Sequence, residues 1–299
     1  MSIEDEVEAT LARAQLVELP WSPVSLRVRC LHVLPENPGA DRRFVLLHGN
    51  PSHLGHFART IPFLAKEAEV LAFDLPGFGG SDAPEGPLDL DFLADVTLAM
   101  LDHFGMKGPV DVIGQSHGGA VAQTFLARHP ERGRSGILLS TMGYPAHASM
   151  RVAMLPGIET LATLAAKTLA IPFLRPFGDM IGNVEAWASF APDPIPQALV
   201  EREIDRIAAR PEIQRSSVRA NDGDPTLQLW AQAPKIRAPV LFVHAAQDRL
   251  VPIANARSLF QRLQAFSPES RFVTLEEGGH MAHLVNPAET ERAIQGWLL

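Results

Sequence analysis

Six short apolar runs constrain this chain more than anything else in it. They are Phe44–Leu47, Val70–Phe73, Val110–Ile113, Ile137–Leu139, Val240–Val243 and Phe272–Leu275. Four are apolar at every position, and Val110–Ile113 and Phe272–Leu275 are each broken by one polar residue, Asp111 and Thr274; such near-continuous runs suit strands buried on both faces. Helix-like stretches separate or follow them: Leu54–Ala65, Leu90–Phe104, Ala120–Arg128, Ile253–Leu263, and one from Pro287 to the C-terminus. Strands alternating with helices predict a parallel sheet covered on both sides. Sites in such sheets lie beyond the carboxyl ends of the strands. The loop His48–Ser52, the turn Asp74–Ser81, Ser116 and Met142 all follow such ends, so they should converge on one rim.

The flanks read differently. Ile3, Val7, Leu11 and Ala14 recur at helical spacing, predicting a helix over 3–16, and alternation over 24–34 predicts one or two outer strands. From 143 to 234 no strand-like run occurs. Prolines punctuate helical pieces at 158–170, 183–190, 196–209 and 211–219, whose apolar residues include Met150, Met154, Leu155, Phe173, Phe177, Trp187 and Phe190. This predicts a helical insertion rising from the rim, between core segments 1–142 and 235–299.

Chemistry concentrates at Gly114-Gln115-Ser116-His117-Gly118, between a strand and a helix. A strand that reverses directly into a helix strains its apex residue and lifts that side chain clear of the sheet. Glycines at 114 and 118 avoid a Cβ collision with neighbouring backbone. A serine hydroxyl is a weak nucleophile and needs a base held by an acid. Asp248 and His280 each follow a later predicted strand, giving the chain order Ser, Asp, His.

With these residues the chain resembles the α/β-hydrolase fold superfamily over essentially its full length. The resemblance is carried by HGNP (48–51), DLPGFGGSD (74–82), GQSHGG (114–119), QDRLVP (247–252) and GGH (278–280). It implies a mostly parallel eight-stranded sheet covered by helices on both faces, with a helical cap (143–234) inserted after strand 6. It also implies Ser116 as nucleophile, His280 as general base and then acid, and Asp248 as the residue that orients His280. The oxyanion hole would be the backbone N–H groups of Asn50 and His117. The wording of HGNPS and DLPGFGGSD is closest to haloalkane dehalogenases and epoxide hydrolases, which carry Asp where this chain has Ser116. Their alkyl-enzyme ester leaves a carbonyl for water to attack, whereas serine would form an inert ether. The serine therefore points to an esterase-like enzyme cleaving a small, largely apolar carboxylic ester through an acyl-enzyme. Two alternatives keep the fold: a C–C bond hydrolase of a diketo or dienone acid, and a non-catalytic small-molecule receptor. The first would need a cation for the substrate carboxylate, for which the insertion offers Arg151, Arg175 and Arg202. Tyr144 and Trp187 are expected in the substrate pocket.

The remaining features narrow the partners. A net charge of −8 argues against nucleic acid, and the single cysteine, Cys30, excludes an intrachain disulfide. His48, His53, His56 and His244 show no metal-binding helix spacing, and Gly77, Gly79 and Gly80 do not form a dinucleotide fingerprint. No metal or organic cofactor is expected. Asp74 and Ser81 are expected to bond within their own turn. The acidic, amphipathic MSIEDEVEATLARAQ lacks a signal-peptide pattern, and no apolar run reaches the ~20 residues needed to span a bilayer. A cytoplasmic monomer or homodimer acting on a small molecule is the expectation.

Overall fold

The computed structural model describes the chain except residues 22–24, 87, 147–150, 152–154, 156–185 and 223. The helix expected over 158–170, and Met150, Met154, Phe173, Arg175 and Phe177, lie outside the described residues. Helix α1 (Ile3–Ala12) opens on Ser2, whose hydroxyl accepts the Asp5 N–H and caps it. Strands β1 (Gln15–Leu19) and β2 (Leu26–Val33) follow, then β3 (Arg43–Leu47), a 3-10 turn (Leu54–Phe57) and α2 (Thr60–Ala65). Next come β4 (Glu69–Phe73), α3 (Leu90–His103), β5 (Val110–Gln115), α4 (His117–Arg128) and β6 (Gly133–Leu139). An excursion then carries a helical stretch at 186–190, α5 (Gln197–Ala209), α6 (Glu212–Arg219) and α7 (Pro225–Gln232). The chain returns through β7 (Val240–Ala245), α8 (Ile253–Gln264), β8 (Arg271–Leu275), α9 (Ala282–Val285) and α10 (Pro287–Leu298).

The eight strands form one sheet in the order β1-β2-β4-β3-β5-β6-β7-β8. β2 runs antiparallel to both neighbours, and every pairing from β4 onward to β8 is parallel. The alternating faces of the continuous apolar runs feed two separate cores. Val45, Leu47, Val112, Leu138 and Phe242 pack with α3, α4 and α8 on one side. Phe44, Leu46, Ile113, Ile137 and Leu241 pack with α2 and α10 on the other. A third cluster joins Val7 of α1 and Ala58 to Phe190, Leu199, Val200 and Ile204 of the excursion and to Met281 and Leu284. The excursion is thus seated on apolar surface beside the rim.

One expectation fails at the N-terminus. The helical reading of 3–16 ran too far, because Gln15–Leu19 is an edge strand paired with β2. Only Leu19 of that strand is buried, so it lacks the apolar run that marks the inner strands and the alternation that marks β2.

Candidate active site

The sheet order changes direction around β3, with β4 on one side and β5 on the other. A crevice opens at such a switch point, at the strands' carboxyl ends. Here β5 runs to Gln115 and α4 starts at His117, leaving Ser116 alone as the turn, with φ 53° and ψ −117°. Only a few per cent of non-glycine residues adopt positive φ. The surroundings enforce it: the Ser116 N–H donates to the Leu139 carbonyl at 2.9 Å, and its own carbonyl accepts the Gly119 N–H at 3.0 Å. A Cβ on Gly114 would lie 2.3 Å from the Gly118 oxygen, and one on Gly118 would lie 2.0 Å from the Leu47 oxygen. Strand and helix meet backbone to backbone, as the sequence predicts.

Asp248 follows β7 and is buried. Its Oδ1 accepts the N–H groups of Leu250 (2.9 Å) and Val251 (2.8 Å), and its Oδ2 faces His280 Nδ1 at 2.8 Å. Burial pushes this carboxyl up, but His280 and a second imidazole, His244, outweigh it and hold it well below the usual carboxylate range. His244 Nε2 lies 3.3 Å from the same Oδ2 and 2.9 Å from the Val251 carbonyl. A charged carboxylate against Nδ1 fixes the proton there and leaves Nε2 of His280 as the ring nitrogen free to accept one. His280 and Ser116 line one cavity of about 450 Å³, together with Gly49, Asn50 and Gln115. That volume suits a small organic molecule.

The loop after β3 abuts the turn at Ser116. A methyl on Gly49 would sit 3.2 Å from Ser116 Cβ. His117 is the first residue of α4, so its N–H has no carbonyl one turn back. Its ring is buried with no hydrogen-bond partner among the described residues, and burial pulls its pKa down to about 4. His48 is held neutral at about 3 by burial; its Nδ1–H donates to the Gly49 carbonyl and its Nε2 accepts the Leu75 N–H. Asp74 and Ser81 bond within their turn: the Ser81 hydroxyl donates to the Asp74 carbonyl, and Asp74 Oδ2 accepts the Gly80 N–H, both at 2.7 Å.

The apolar wall of the cavity comes from Phe190, Leu199, Val200, Ile204, Ile207 and Ile213. The two aromatic residues expected there lie elsewhere. Tyr144 stacks on Trp230 at 4.5 Å, and Trp187 is half exposed under the Arg249 guanidinium. Neither is among the described residues lining the cavity. A strand-end position brought Tyr144 to the rim, but its ring turned away onto α7. Arg151 donates to the Ala146 carbonyl and Arg202 approaches Glu8, so neither reaches the cavity.

Sequence spacing missed a polar corner of the same cavity. His53 Nε2 meets Glu203 Oε1 at 2.8 Å, and His56 Nε2 lies 3.9 Å from that oxygen. Burial pushes the Glu203 carboxyl up, yet the two imidazoles hold it well below its ordinary value. The ligating atoms of His53, His56 and Glu203 lie within 4.8 Å of one another, a grouping the histidine spacing alone did not suggest. Arg206 Nη1 donates to the same Glu203 oxygen at 2.5 Å, so that oxygen is already taken up by a guanidinium and an imidazole. Glu203 is 150 residues from His53, so no local pattern could reveal the pair.

A family model described as alpha/beta hydrolase fold matches residues 42–287. The chain is 30% identical over 267 residues to a pimeloyl-[acyl-carrier protein] methyl ester esterase of Neisseria meningitidis, covering 86% of this chain and 76% of that protein. It is also 26% identical over 297 residues to the polyketide synthase ThaQ of Burkholderia thailandensis, covering 95% of this chain but only 13% of the synthase. Among solved structures, a thermophilic esterase from Thermogutta terrifontis superimposes with a TM-score of 0.73 at 21% identity, covering 95% of this chain and 98% of that one. Among the described residues no helix is long and apolar enough to cross a membrane. The eight-stranded sheet, the turn at Ser116 and the family match agree: the chain belongs to the alpha/beta hydrolase fold family.

Proposed function

We propose that this enzyme hydrolyses a small, largely apolar carboxylic ester through an acyl-enzyme on Ser116. Its Oγ attacks the ester carbonyl while His280 Nε2 takes the proton, and Asp248 stabilises the imidazolium. The oxyanion rests on the N–H groups of Asn50 and His117, donors of a kind worth about 2.7–4 kcal/mol each. His280 then protonates the leaving alcohol, and water activated by the same imidazole releases the acid. The excursion 143–234 acts as a cap that excludes water and selects the substrate.

The observation that carries this reading is the Asp248–His280 pair, bonded at 2.8 Å, with His280 on the cavity that Ser116 lines. Similarity to a methyl ester esterase supports an ester as the bond cleaved. A neutral substrate is supported over a diketo acid because the described cations on the cavity are each engaged. Arg29 pairs with Asp74, Arg206 with Glu203 and Glu8, and Arg210 with Glu212 and the carbonyls of Gly79 and Ser81.

A series of p-nitrophenyl esters assayed beside a vinylogous diketo acid tests the bond. The shorter esters should turn over and the diketo acid should not. Labelling by a fluorophosphonate should disappear in Ser116→Ala. Labelling that survives this change would sink the reading, and absence of turnover with every ester tried would favour a receptor.

A further inference from the structure

The loop 48–53, which carries the Asn50 N–H, is held from two sides. From the core, His48 is fixed between the Gly49 carbonyl and the Leu75 N–H, and Asp74 Oδ1 accepts the Leu54 N–H at 2.7 Å. From the excursion come two further bonds. Asn50 Nδ2 donates to the Ser217 carbonyl at 2.8 Å, and His53 meets Glu203 at 2.8 Å. The chemistry of both is defined. Ser217 lies in the last turn of α6, where carbonyls have no partner along the helix, and it accepts from Asn50 and from Asn221. His53 Nδ1 accepts the Gly55 N–H at 3.1 Å, so its proton must sit on Nε2 and point at the Glu203 carboxylate. His53 is 2% exposed, which makes Glu203 the acceptor that satisfies a buried donor.

These bonds come from α5 and α6, which are themselves fastened to the core. Arg210 donates to the carbonyls of Gly79 and Ser81, Arg219 to that of Pro84, and Arg206 pairs with Glu8 of α1. The helices that wall the cavity therefore also set the far side of the loop. An oxyanion donor must be held within about 0.5 Å of its productive position, and a 1 Å error costs about 100-fold.

We propose that Glu203 is a positioning residue for the oxyanion hole: through His53 it fixes the loop that presents the Asn50 N–H, so that a seated cap completes the catalytic site. This rests on the serine-ester reading above. The alignment of the donor is then set by how α5 seats, and loss of the Glu203–His53 bond would spare ester binding while slowing turnover.

The test compares Glu203→Leu, which removes the acceptor, with Glu203→Gln, whose amide oxygen can still receive the His53 proton. Asn50→Ala removes the Ser217 tether while keeping the backbone N–H, and serves as the independent second variant. Each is assayed with a p-nitrophenyl ester and with a trifluoromethyl ketone of matched shape, whose hydrated or serine-bound oxygen occupies the same hole. Glu203→Leu and Asn50→Ala should each lower kcat about 10-fold with KM within about twofold, and weaken ketone inhibition by the same factor as kcat/KM. Glu203→Gln should stay within about threefold of the parent. A rise in KM with kcat unchanged would make Glu203 a wall of the pocket and overturn the proposal. Equal losses in the Leu and Gln variants, or no loss in any variant, would overturn it too. Ser116→Ala is assayed alongside. Turnover surviving in it overturns the serine-ester reading and this inference together, whereas an inactive Ser116→Ala with Glu203→Leu and Asn50→Ala unaltered overturns this inference alone.

Discussion

His280 and Asp248 meet at 2.8 Å through Nδ1 and Oδ2, and the acid's other oxygen is occupied by two backbone N–H groups from its own loop. That division of labour leaves the carboxylate one orientation. Asp248→Asn would turn an amide N–H toward the imidazole or force the ring into its other tautomer. We expect kcat to fall by about 10⁴ with the fold intact. Steady-state kinetics and circular dichroism on the purified variant check both halves.

The depressed Asp248 carboxyl also links stability to pH. Its folded pKa lies below the unfolded value, so its contribution is present above about pH 4 and is lost as pH falls toward the folded value. Denaturant titrations between pH 5 and pH 3 should show a shallower decline for Asp248→Asn than for the parent.

Buried histidines act in a higher window. Burial holds His48 and His283 at about 3 and His117 at about 4. The unfolded chain protonates these rings near pH 6.5 while the folded one does not. Stability should therefore drop as pH falls from about 6.5 toward 4, by up to about 1.4 kcal/mol per pH unit for each ring. His283 Nε2 has no partner among the described residues, so His283→Leu should flatten this slope and gain on the parent at pH 5 relative to pH 7, as read by urea unfolding.

The loop bearing His280 is also tied to the excursion, since Asp193 Oδ2 accepts the Gly279 N–H at 2.9 Å. Removing that acceptor in Asp193→Ala should loosen the imidazole and lower kcat by about 10-fold while leaving KM near its parent value. An unchanged kcat would show that Gly279 is held well enough by its neighbours.

Gly118→Ala should be costly in another way. The added methyl would sit 2.0 Å from the Leu47 oxygen, and neither backbone can give way without parting α4 from β3. A loss of about 3 kcal/mol or more, or recovery only in the insoluble fraction, is the expected outcome of thermal and denaturant melts.

Legibility in the sequence followed the physics of each element. Runs such as Val110–Ile113 announce themselves because both faces are buried, and the strands extend past them through residues such as Gly114, Gln115 and His244 that keep the ladder without an apolar signature. β1 went unread because an edge strand with one buried side chain looks like the end of an amphipathic helix. Ser116, Asp248 and His280 could be singled out as candidates from their strand-end positions and chain order, and the structure sets Asp248 against His280 and puts His280 and Ser116 on one cavity. Glu203, Arg206 and His53 could not: their meeting depends on how α5 seats over the rim, which packing of Leu199, Val200 and Ile204 decides. Tyr144 shows the converse, since a position near the rim does not set which way a ring turns.

Where β3, β5 and α4 cross, three main chains touch with no layer of side chains between them. Such a joint has no slack for gradual change. A side chain added at Gly114 or Gly118 would have to move strand, turn and helix together, so the position of Ser116 is fixed by the main chain around it.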